Sequence, residues 1–187
     1  ELPNERVRAL TIALLQQGKT TPERLVAELH QGRPNDTLGV RQGVEDFATG
    51  AWSLPEVWLH RCIAGRHRRW KLLLNHDLFT RDGRHVGIPD AYLPEFGVVV
   101  QVHSQQFHAG FNAGGGDAWA STAEADNRYE AVGLSSLSVA PVTLRDHPRR
   151  FLDELDLVVA ARSGLPIPDL VARRQPGKGT QSRINAA

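Results

Sequence analysis

The chain has 187 residues, of which 41% are hydrophobic and 23% are charged, proportions that are ordinary for a soluble globular protein. No stretch approaches the roughly 18 uninterrupted apolar residues of a membrane span, and no signal peptide is evident, so we expect a cytoplasmic protein without a membrane partner. Cys62 is the only cysteine, which excludes an internal disulfide framework and any multi-cysteine metal site. The formal net charge of +1 excludes an overall basic field.

The N-terminal part, residues 1–50, is predicted to form a small helical segment. Apolar spacing favours helices over residues 4–17, from the Thr21 N-cap to Gly32, and over about 38–48, with a glycine at or near the end of each. Three short helices can form a helix-turn-helix unit that contacts DNA, although no recognition helix is marked, and a packing scaffold is the alternative. The sequence begins without a methionine, so a preceding N-terminal domain is also an open alternative.

Residues 51–165 follow the order helix, three strands, helix, strand, helix, which predicts an α/β domain with a mixed β-sheet flanked by helices. Ser53 and Glu56 have the spacing of a capping box and begin the first helix. The pair Asp82-Gly83 predicts a hairpin turn. Residues 166–187 are polar and basic and are predicted to form a flexible tail. The predicted strands are residues 70–74, 85–93, 98–103 and 137–140, and the later helices are residues 119–132 and 151–164.

The most apolar predicted strand, residues 98–103, has two polar residues on one face. Because side chains alternate along a strand, Gln101 and His103 point the same way. A short hairpin can bring Asp90 of the preceding strand next to both of them. Carboxylates and carbonyls are the ligands that Mg²⁺ prefers. Asp90 and the carbonyl of Val102 are therefore candidate metal ligands, with Mn²⁺ as the alternative ion.

Two histidines and a glutamate complete the candidate site. His103 and His108 can act as general base or acid because histidine titrates near neutral pH. Glu56, at the start of a helix, can reach the same place. Each has a structural alternative, since Glu56 can cap its helix, His103 can be a hydrogen-bonded core histidine, and Asp90 can shape a turn. Together with a bound metal, these groups indicate phosphodiester hydrolysis.

Three runs carry a resemblance to known nucleases: P-E at residues 55–56, G-I-P-D at 87–90 and V-V-Q-V-H-S-Q-Q-F-H at 99–108. They resemble the very-short-patch repair endonucleases and related endonuclease-like domains of unknown function, both within the PD-(D/E)xK nuclease superfamily. The resemblance covers about residues 52–160 and includes D-N-R-Y-E-A-V-G-L at 126–134. It implies a restriction-endonuclease-like sheet and a metal-dependent DNA endonuclease or nickase.

The resemblance also implies roles for individual residues. Asp90 is implied as the metal ligand, and Glu56 as an acid that reaches the metal through water. His103 and His108 are implied as the two active-site histidines. Because the zinc-binding cysteines of the repair enzymes have no counterparts here, no structural zinc is expected.

DNA-binding residues are predicted in three places. The resemblance implies that Phe107 enters the DNA stack, and that Arg128 lines the active site or holds the DNA backbone. Independently of the resemblance, four cations near the end of the first helix of the main domain can bind phosphates, although a solvated face without a ligand is the alternative. These cations are Arg66, Arg68, Arg69 and Lys71.

The resemblance is broken at the centre of the site. Gln101 and His103 stand where the endonuclease-like domains have the glutamate and aspartate of E-V-D-G. A neutral amide is a weaker Mg²⁺ ligand than a carboxylate. This favours the alternative of a catalytically inactive nuclease-fold module that binds DNA or a protein partner, as in a transcription regulator or antitoxin. The glycine-rich stretch 110–116 leaves a third alternative, unrelated chemistry or assembly on the same scaffold. The sequence does not predict an oligomeric state.

Overall fold

A computed structural model describes residues 3–32, 37–103 and 118–174, without the side chains of residues 118–122. The chain forms two compact units that divide between Val57 and Trp58. The strands of the described residues all belong to the second unit. Within the described ranges, no helix combines the length and the apolar character needed to cross a membrane.

The first unit contains helices α1 (Asn4–Gln16), α2 (Pro22–Gln31) and α3 (Leu38–Ala48). These bounds confirm the three helices that apolar spacing predicts. Thr21 is the N-cap of α2, and its side chain accepts a 3.3 Å hydrogen bond from the backbone N–H of Arg24. Helices α1 and α3 are thus joined through a middle helix with a well-defined start.

Helices α1 and α3 approach each other closely at two glycines. A Cβ atom added at Gly39 or Gly43 would lie 2.8 Å or 2.6 Å from the nearest atoms of α1, so the missing side chains make the contact possible. A buried ion pair between Arg8 and Asp46 joins the same two helices. The first unit therefore combines close backbone packing with one buried polar contact.

The second unit is built around a mixed four-stranded sheet. Its order is β1 (Leu73–Leu74), β4 (Ala91–Leu93), β5 (Val98–Val102), β6 (Ser135–Val139). The first two pairs are antiparallel, and β5 and β6 are parallel. The chain passes from β5 to β6 through helix α5 (Ala118–Ala131), since parallel neighbours need a crossover connection. The α/β class and the mixed sheet are thereby confirmed.

Three further helices complete the helices of the described residues: α4 (Leu54–Arg66), α6 (Pro141–Asp146) and α7 (Pro148–Ala161). Both α6 and α7 begin with proline, whose fixed φ suits the first turn of a helix. Helix α7 contacts β6. Helices are thus present before, between and after the strands of the mixed sheet, as the sequence predicts.

A second, antiparallel sheet has the order β3 (His85–Gly87), β2 (His76–Thr80), β7 (Leu170–Arg174). The prediction of one strand over residues 85–93 is therefore wrong, because β3 and β4 belong to different sheets. The break includes Pro89, which lacks the N–H that a continuous ladder would need. The hairpin predicted at Asp82-Gly83 is confirmed as the link between β2 and β3.

Part of the predicted flexible tail is a strand. Residues of β7 pair with β2 along its whole length. Leu170 and Ala172 pack against the core, whereas Val171 and Arg173 are exposed. This period-two alternation was present in the sequence but is short and includes two arginines. The predicted strand over residues 70–74 is also corrected, since pairing begins only at Leu73.

The core lies around β5. Val98, Val99 and Val100 are fully buried, which confirms that this apolar run lies inside a sheet. One cluster of buried side chains joins the two sheets and α5. Its members are Leu78, Val86, Tyr92, Val99, Tyr129 and Leu134.

Candidate functional site

Four of the predicted site residues lie at or beside the carboxyl end of β5, and we name Asp90, Gln101, Val102 and His103 the β5-end site. The antiparallel register pairs Ala91 with Val100, so continuation by one residue places Asp90 across from Gln101. Residues opposite each other in an antiparallel pair share a face of the sheet. The sequence prediction that Asp90 and Gln101 lie together is consistent with this register.

The backbone of β5 bonds to different neighbours at alternate residues. The N–H of His103 donates to the Val139 carbonyl of β6 at 2.9 Å, while the N–H of Val102 donates to Oδ2 of Asp90 at 2.6 Å. The N–H and C=O of one residue in an extended strand point to the same side. The Val102 carbonyl therefore also faces the segment that contains Asp90.

Pro89 leaves the Val102 carbonyl without a backbone donor on this side of β5. The register would place Pro89 opposite Val102, but proline has no N–H to donate to the Val102 carbonyl. The Asp90 carboxylate takes over the bond to the Val102 N–H. As a result, a carboxylate and a backbone carbonyl lie at one strand edge where the β-ladder has stopped.

The backbone of Asp90 is held by Asn75, which lies between β1 and β2. The N–H of Asn75 donates to the Asp90 carbonyl at 3.3 Å. Asn75 is buried and has φ 52°, in the left-handed region that asparagine tolerates better than most residues. The link between the two sheets thus fixes the position of Asp90.

Gln101 is held by Tyr129 of α5. Its Nε2 donates to the Tyr129 hydroxyl at 3.2 Å, and Tyr129 is 1% exposed. Burial raises the pKa of the Tyr129 hydroxyl well above its usual range, the Gln101 hydrogen bond lowers that pKa by less, and the Asp90 charge raises it further. The hydroxyl is therefore neutral at physiological pH.

Helix α5 also contacts the segment just before Asp90. A Cβ atom at Gly87 would lie 2.7 Å from the Tyr129 hydroxyl oxygen, so the ring rests against the β3 backbone where no side chain intervenes. Nε of Arg128 donates to the Val86 carbonyl of β3 at 3.2 Å. Arg128 therefore has a structural contact, and its role toward DNA stays a prediction.

His103 lies just past the end of β5 and is half-buried. Its Nε2 is 3.0 Å from Oγ of Ser138 on β6. The hydroxyl can donate to or accept from the ring, depending on the histidine tautomer. This contact orients the imidazole. His103 therefore has a hydrogen-bond partner, as the core-histidine alternative requires, but it is not fully buried in the core.

Glu56 caps the start of α4, which is the structural alternative to a role at the metal. Its Oε2 accepts a 2.7 Å bond from the Trp52 N–H, and its Oε1 accepts a 2.7 Å bond from the Ser53 hydroxyl. The Ser53 hydroxyl in turn accepts a 3.4 Å bond from the Glu56 N–H. This is the predicted capping box at the start of α4. Glu56 is 7% exposed, and its role toward a metal stays a prediction.

The donors at the β5-end site fit a weakly held hard cation. Asp90 supplies a carboxylate whose Oδ2 is already hydrogen-bonded, and Val102 supplies a carbonyl. Mg²⁺ commonly binds proteins through one or two carboxylates and keeps several waters. Throughout residues 3–32, 37–103 and 118–174, no group of three or more His, Cys, Asp or Glu side chains could hold a metal. Asp90 and the Val102 carbonyl could hold a hydrated Mg²⁺, and the metal itself stays a prediction.

The four predicted phosphate-binding cations differ in their ion pairing, because Arg66 is paired with two carboxylates. Nη1 of Arg66 lies 2.7 Å from Asp153 and its Nη2 lies 2.7 Å from Asp156, both on α7. Arg66 thus helps to fix α4 on α7, and a phosphate would compete with two carboxylates for it. Arg68, Arg69 and Lys71 are exposed, as phosphate contacts require. Phe107 and His108, by contrast, lie outside the described residues.

Tyr129 is the residue that sequence reasoning missed. It directly follows Arg128, which was singled out, inside the predicted helix. A tyrosine buried on an apolar helix face usually finds a partner for its hydroxyl, and this was the available signal. The partner itself, Gln101, is 28 positions away and could not be assigned from spacing.

Comparisons with family models, curated proteins and solved structures give no match for this chain. The likeness to the PD-(D/E)xK nucleases therefore stays a prediction that rests on the quoted residues. Function is accordingly inferred from the geometry of the β5-end site.

Proposed function

We propose that this protein is a metal-dependent DNA endonuclease or nickase with a weak metal site. The observation that supports the proposal is the strand edge opened by Pro89. There the Asp90 carboxylate and the Val102 carbonyl face the same side of β5. These are oxygen donors of the kind that Mg²⁺ or Mn²⁺ takes in nucleases.

The finer fold is part of the proposal. A restriction-endonuclease-like domain has a mixed sheet flanked by helices, with its site at the sheet edge. Support comes from the antiparallel pairs β1–β4 and β4–β5, followed by the parallel pair β5–β6 through α5. The β5-end site lies at the carboxyl end of a central strand of this sheet.

The residues of the site divide the chemical work. Asp90 and the Val102 carbonyl hold the cation, which when bound supplies charge stabilisation for the phosphate oxygens during hydrolysis. His103, whose imidazole Ser138 orients, acts as general base or acid. Tyr129 keeps the Gln101 amide in a fixed position beside Asp90. Exposed Arg68, Arg69 and Lys71 hold the DNA backbone through phosphate contacts.

A second candidate is a nuclease-fold module that binds DNA without cleaving it. The bond between Gln101 and buried Tyr129 favours this candidate, because the amide adds no negative charge beside Asp90. With one carboxylate, cation affinity is low. The two candidates differ in whether the affinity suffices at cellular Mg²⁺ concentrations.

The deciding experiment is plasmid nicking by the full chain and by an Asp90→Ala variant, in Mg²⁺, Mn²⁺ and EDTA. Asp169→Ala is the matched control, since it removes an exposed carboxylate that pairs with Arg81. We expect metal-dependent nicking by the wild type and the control, and none by Asp90→Ala. Binding of plasmid without nicking in either metal would exclude the enzyme and favour the module. Nicking that survives Asp90→Ala would reject the β5-end site.

A further inference from the structure

The outward face of the β3–β2–β7 sheet has an unusual composition. Strand β2 alternates between buried Leu78 and the outward residues Asp77 and Phe79. The register places His85 and Val171 opposite Phe79, and Arg173 opposite Asp77. We name Asp77, Phe79, His85, Val171 and Arg173 the outer face.

Phe79 is the centre of the outer face. Its ring centroid lies 5.2 Å from that of His85 on one side, and the guanidinium carbon of Arg173 lies 4.8 Å above the ring. Phe79 itself is half-buried, while Val171 is 40% exposed and the His85 side chain is 51% exposed. The phenylalanine therefore lies at the protein surface and not in a second core. An aromatic ring flanked by two nitrogen-bearing planar groups is thereby presented outward.

Such a cluster suits the faces of nucleic-acid bases. Aromatic side chains stack on bases of any identity, and an arginine over an aromatic ring adds a planar, always-charged group that also stacks. The contact with Phe79 restricts the Arg173 side chain before a ligand arrives. Binding a ligand therefore costs less side-chain entropy, because Arg173 is already restricted in the free protein.

Charge complementarity selects a polyanion. Asp77 of the outer face lies 3.0 Å from His85, which forms an ion pair with it only when the imidazole is protonated, and nearby Asp169 pairs with Arg81. The sequence of residues 170–187 contains no Asp or Glu. Its four basic residues are Arg173, Arg174, Lys178 and Arg183. The strand that bears Arg173 thus belongs to a wholly basic part of the chain, which attracts phosphates.

We propose that the outer face binds single-stranded nucleic acid, with an unpaired base stacked on the Phe79–Arg173 pair and the neighbouring phosphates on Arg173 and Arg174. The ligand is single-stranded because a base within a duplex does not offer its face. This surface shares no residue with the β5-end site and does not depend on metal, so it goes beyond the proposed cleavage activity.

The test measures binding of a 5′-fluorescein-labelled dT oligonucleotide of about 20 nucleotides to the full chain by anisotropy, in EDTA. Phe79→Leu keeps an apolar residue but loses the ring, and we expect it to weaken binding about 5- to 100-fold. Phe79→Tyr keeps the ring and should bind within about twofold of wild type. Arg173→Lys should weaken binding less than Arg173→Gln, because it keeps the charge but loses the planar group.

Controls separate this surface from general charge and from cleavage. Arg24→Gln removes an exposed cation of the first unit and should leave binding within about twofold of wild type. Because oligonucleotide binding is measured in EDTA and plasmid nicking needs Mg²⁺ or Mn²⁺, failure of the cleavage proposal is seen separately. Wild-type affinity in both Arg173→Gln and a folded Phe79→Leu would overturn the inference, as would equal affinity for a duplex of the same length.

Discussion

The Asp90 carboxylate accepts a 2.6 Å hydrogen bond from the backbone N–H of Val102, where an unbroken strand would have offered a backbone carbonyl. One side chain thus both closes the β-ladder and places a negative charge beside the Val102 carbonyl. The structural and chemical contributions of Asp90 are therefore coupled, and only variants that differ in one of them can separate the two.

Asp90→Asn and Asp90→Ala provide that separation. Asparagine keeps an oxygen that can accept the Val102 N–H but has no charge, whereas alanine leaves this donor without its acceptor. We expect Asp90→Ala to lower the free energy of unfolding by about 1–3 kcal/mol and Asp90→Asn by clearly less. Urea denaturation monitored by tryptophan fluorescence measures both. Equal destabilisation would mean that the charge, and not the hydrogen bond, stabilises this edge.

A second carboxylate at position 101 should strengthen cation binding. Because Asp90 and Gln101 lie opposite each other on one face, Gln101→Glu places two negative groups at the same edge. We expect Mn²⁺ affinity to rise on the order of tenfold at pH 8, measured by calorimetry, with a rise in nicking if the protein is a nuclease.

The control for this prediction is Gln101→Glu in the Asp90→Ala background, where a single carboxylate remains. Affinity there should return to near the wild-type value. If Gln101→Glu binds Mn²⁺ no better than wild type, the β5-end site is not the place where the cation binds.

Local patterns in the sequence predicted the helices well. Helix α3 has the predicted bounds, and the Ser53–Glu56 capping box closes as its spacing indicates. Both features depend on residues within a few positions of each other. The buried run of Val98, Val99 and Val100 was likewise evident, because three β-branched residues together favour a strand inside a sheet.

The errors concern contacts between distant residues. Asp90 was correctly suspected next to β5, but the sequence could not indicate that residues 85–93 divide between two sheets, since partner choice depends on tertiary packing. Likewise, β7 pairs with β2 across about 90 residues, and its Arg173 and Arg174 favoured a tail. The DNA contact predicted for Arg66 stays a prediction, but its ion partners Asp153 and Asp156 on α7 were not visible from sequence spacing.

Gly87 is required by the close approach of Tyr129. In Gly87→Ala the new Cβ would lie 2.7 Å from the Tyr129 hydroxyl oxygen, so the buried ring or the β3 backbone must shift. We expect a loss of about 1–3 kcal/mol of unfolding free energy and weaker cation binding, because α5 and the Asp90 segment move apart. Thermal and urea denaturation together with Mn²⁺ calorimetry provide the measurement.

Gly65→Ala is the matched control for Gly87→Ala. Gly65 lies in α4, and a Cβ there meets nothing within 4 Å. Alanine should therefore stabilise the helix by up to about 1 kcal/mol through its higher helix propensity. Similar destabilisation by both substitutions would contradict the proposed contact between Gly87 and Tyr129.

Tyr129 should make the protein sensitive to alkaline pH. Its hydroxyl is raised in pKa by burial, so the folded state holds the proton more tightly than the unfolded chain does. This contribution to stability is fully present below pH of about 10, the usual pKa of tyrosine, and is lost as the pH rises toward the folded-state pKa. The free energy of unfolding should fall there by at most about 1.4 kcal/mol per pH unit from this group.

Tyr129→Phe tests this assignment. At pH 7 the variant should lose about 1 kcal/mol, because the Gln101 amide loses its hydroxyl partner. Above pH 10 its unfolding free energy should fall less steeply than that of the wild type, so that the two curves converge. Tyr92 and Cys62, whose pKa values burial also raises, are present in both proteins, and their contributions cancel in the difference. Urea denaturation at pH 7, 9, 10.5 and 11 measures both curves, and parallel curves would show that the Tyr129 hydroxyl ionises as easily in the folded protein as in the unfolded chain.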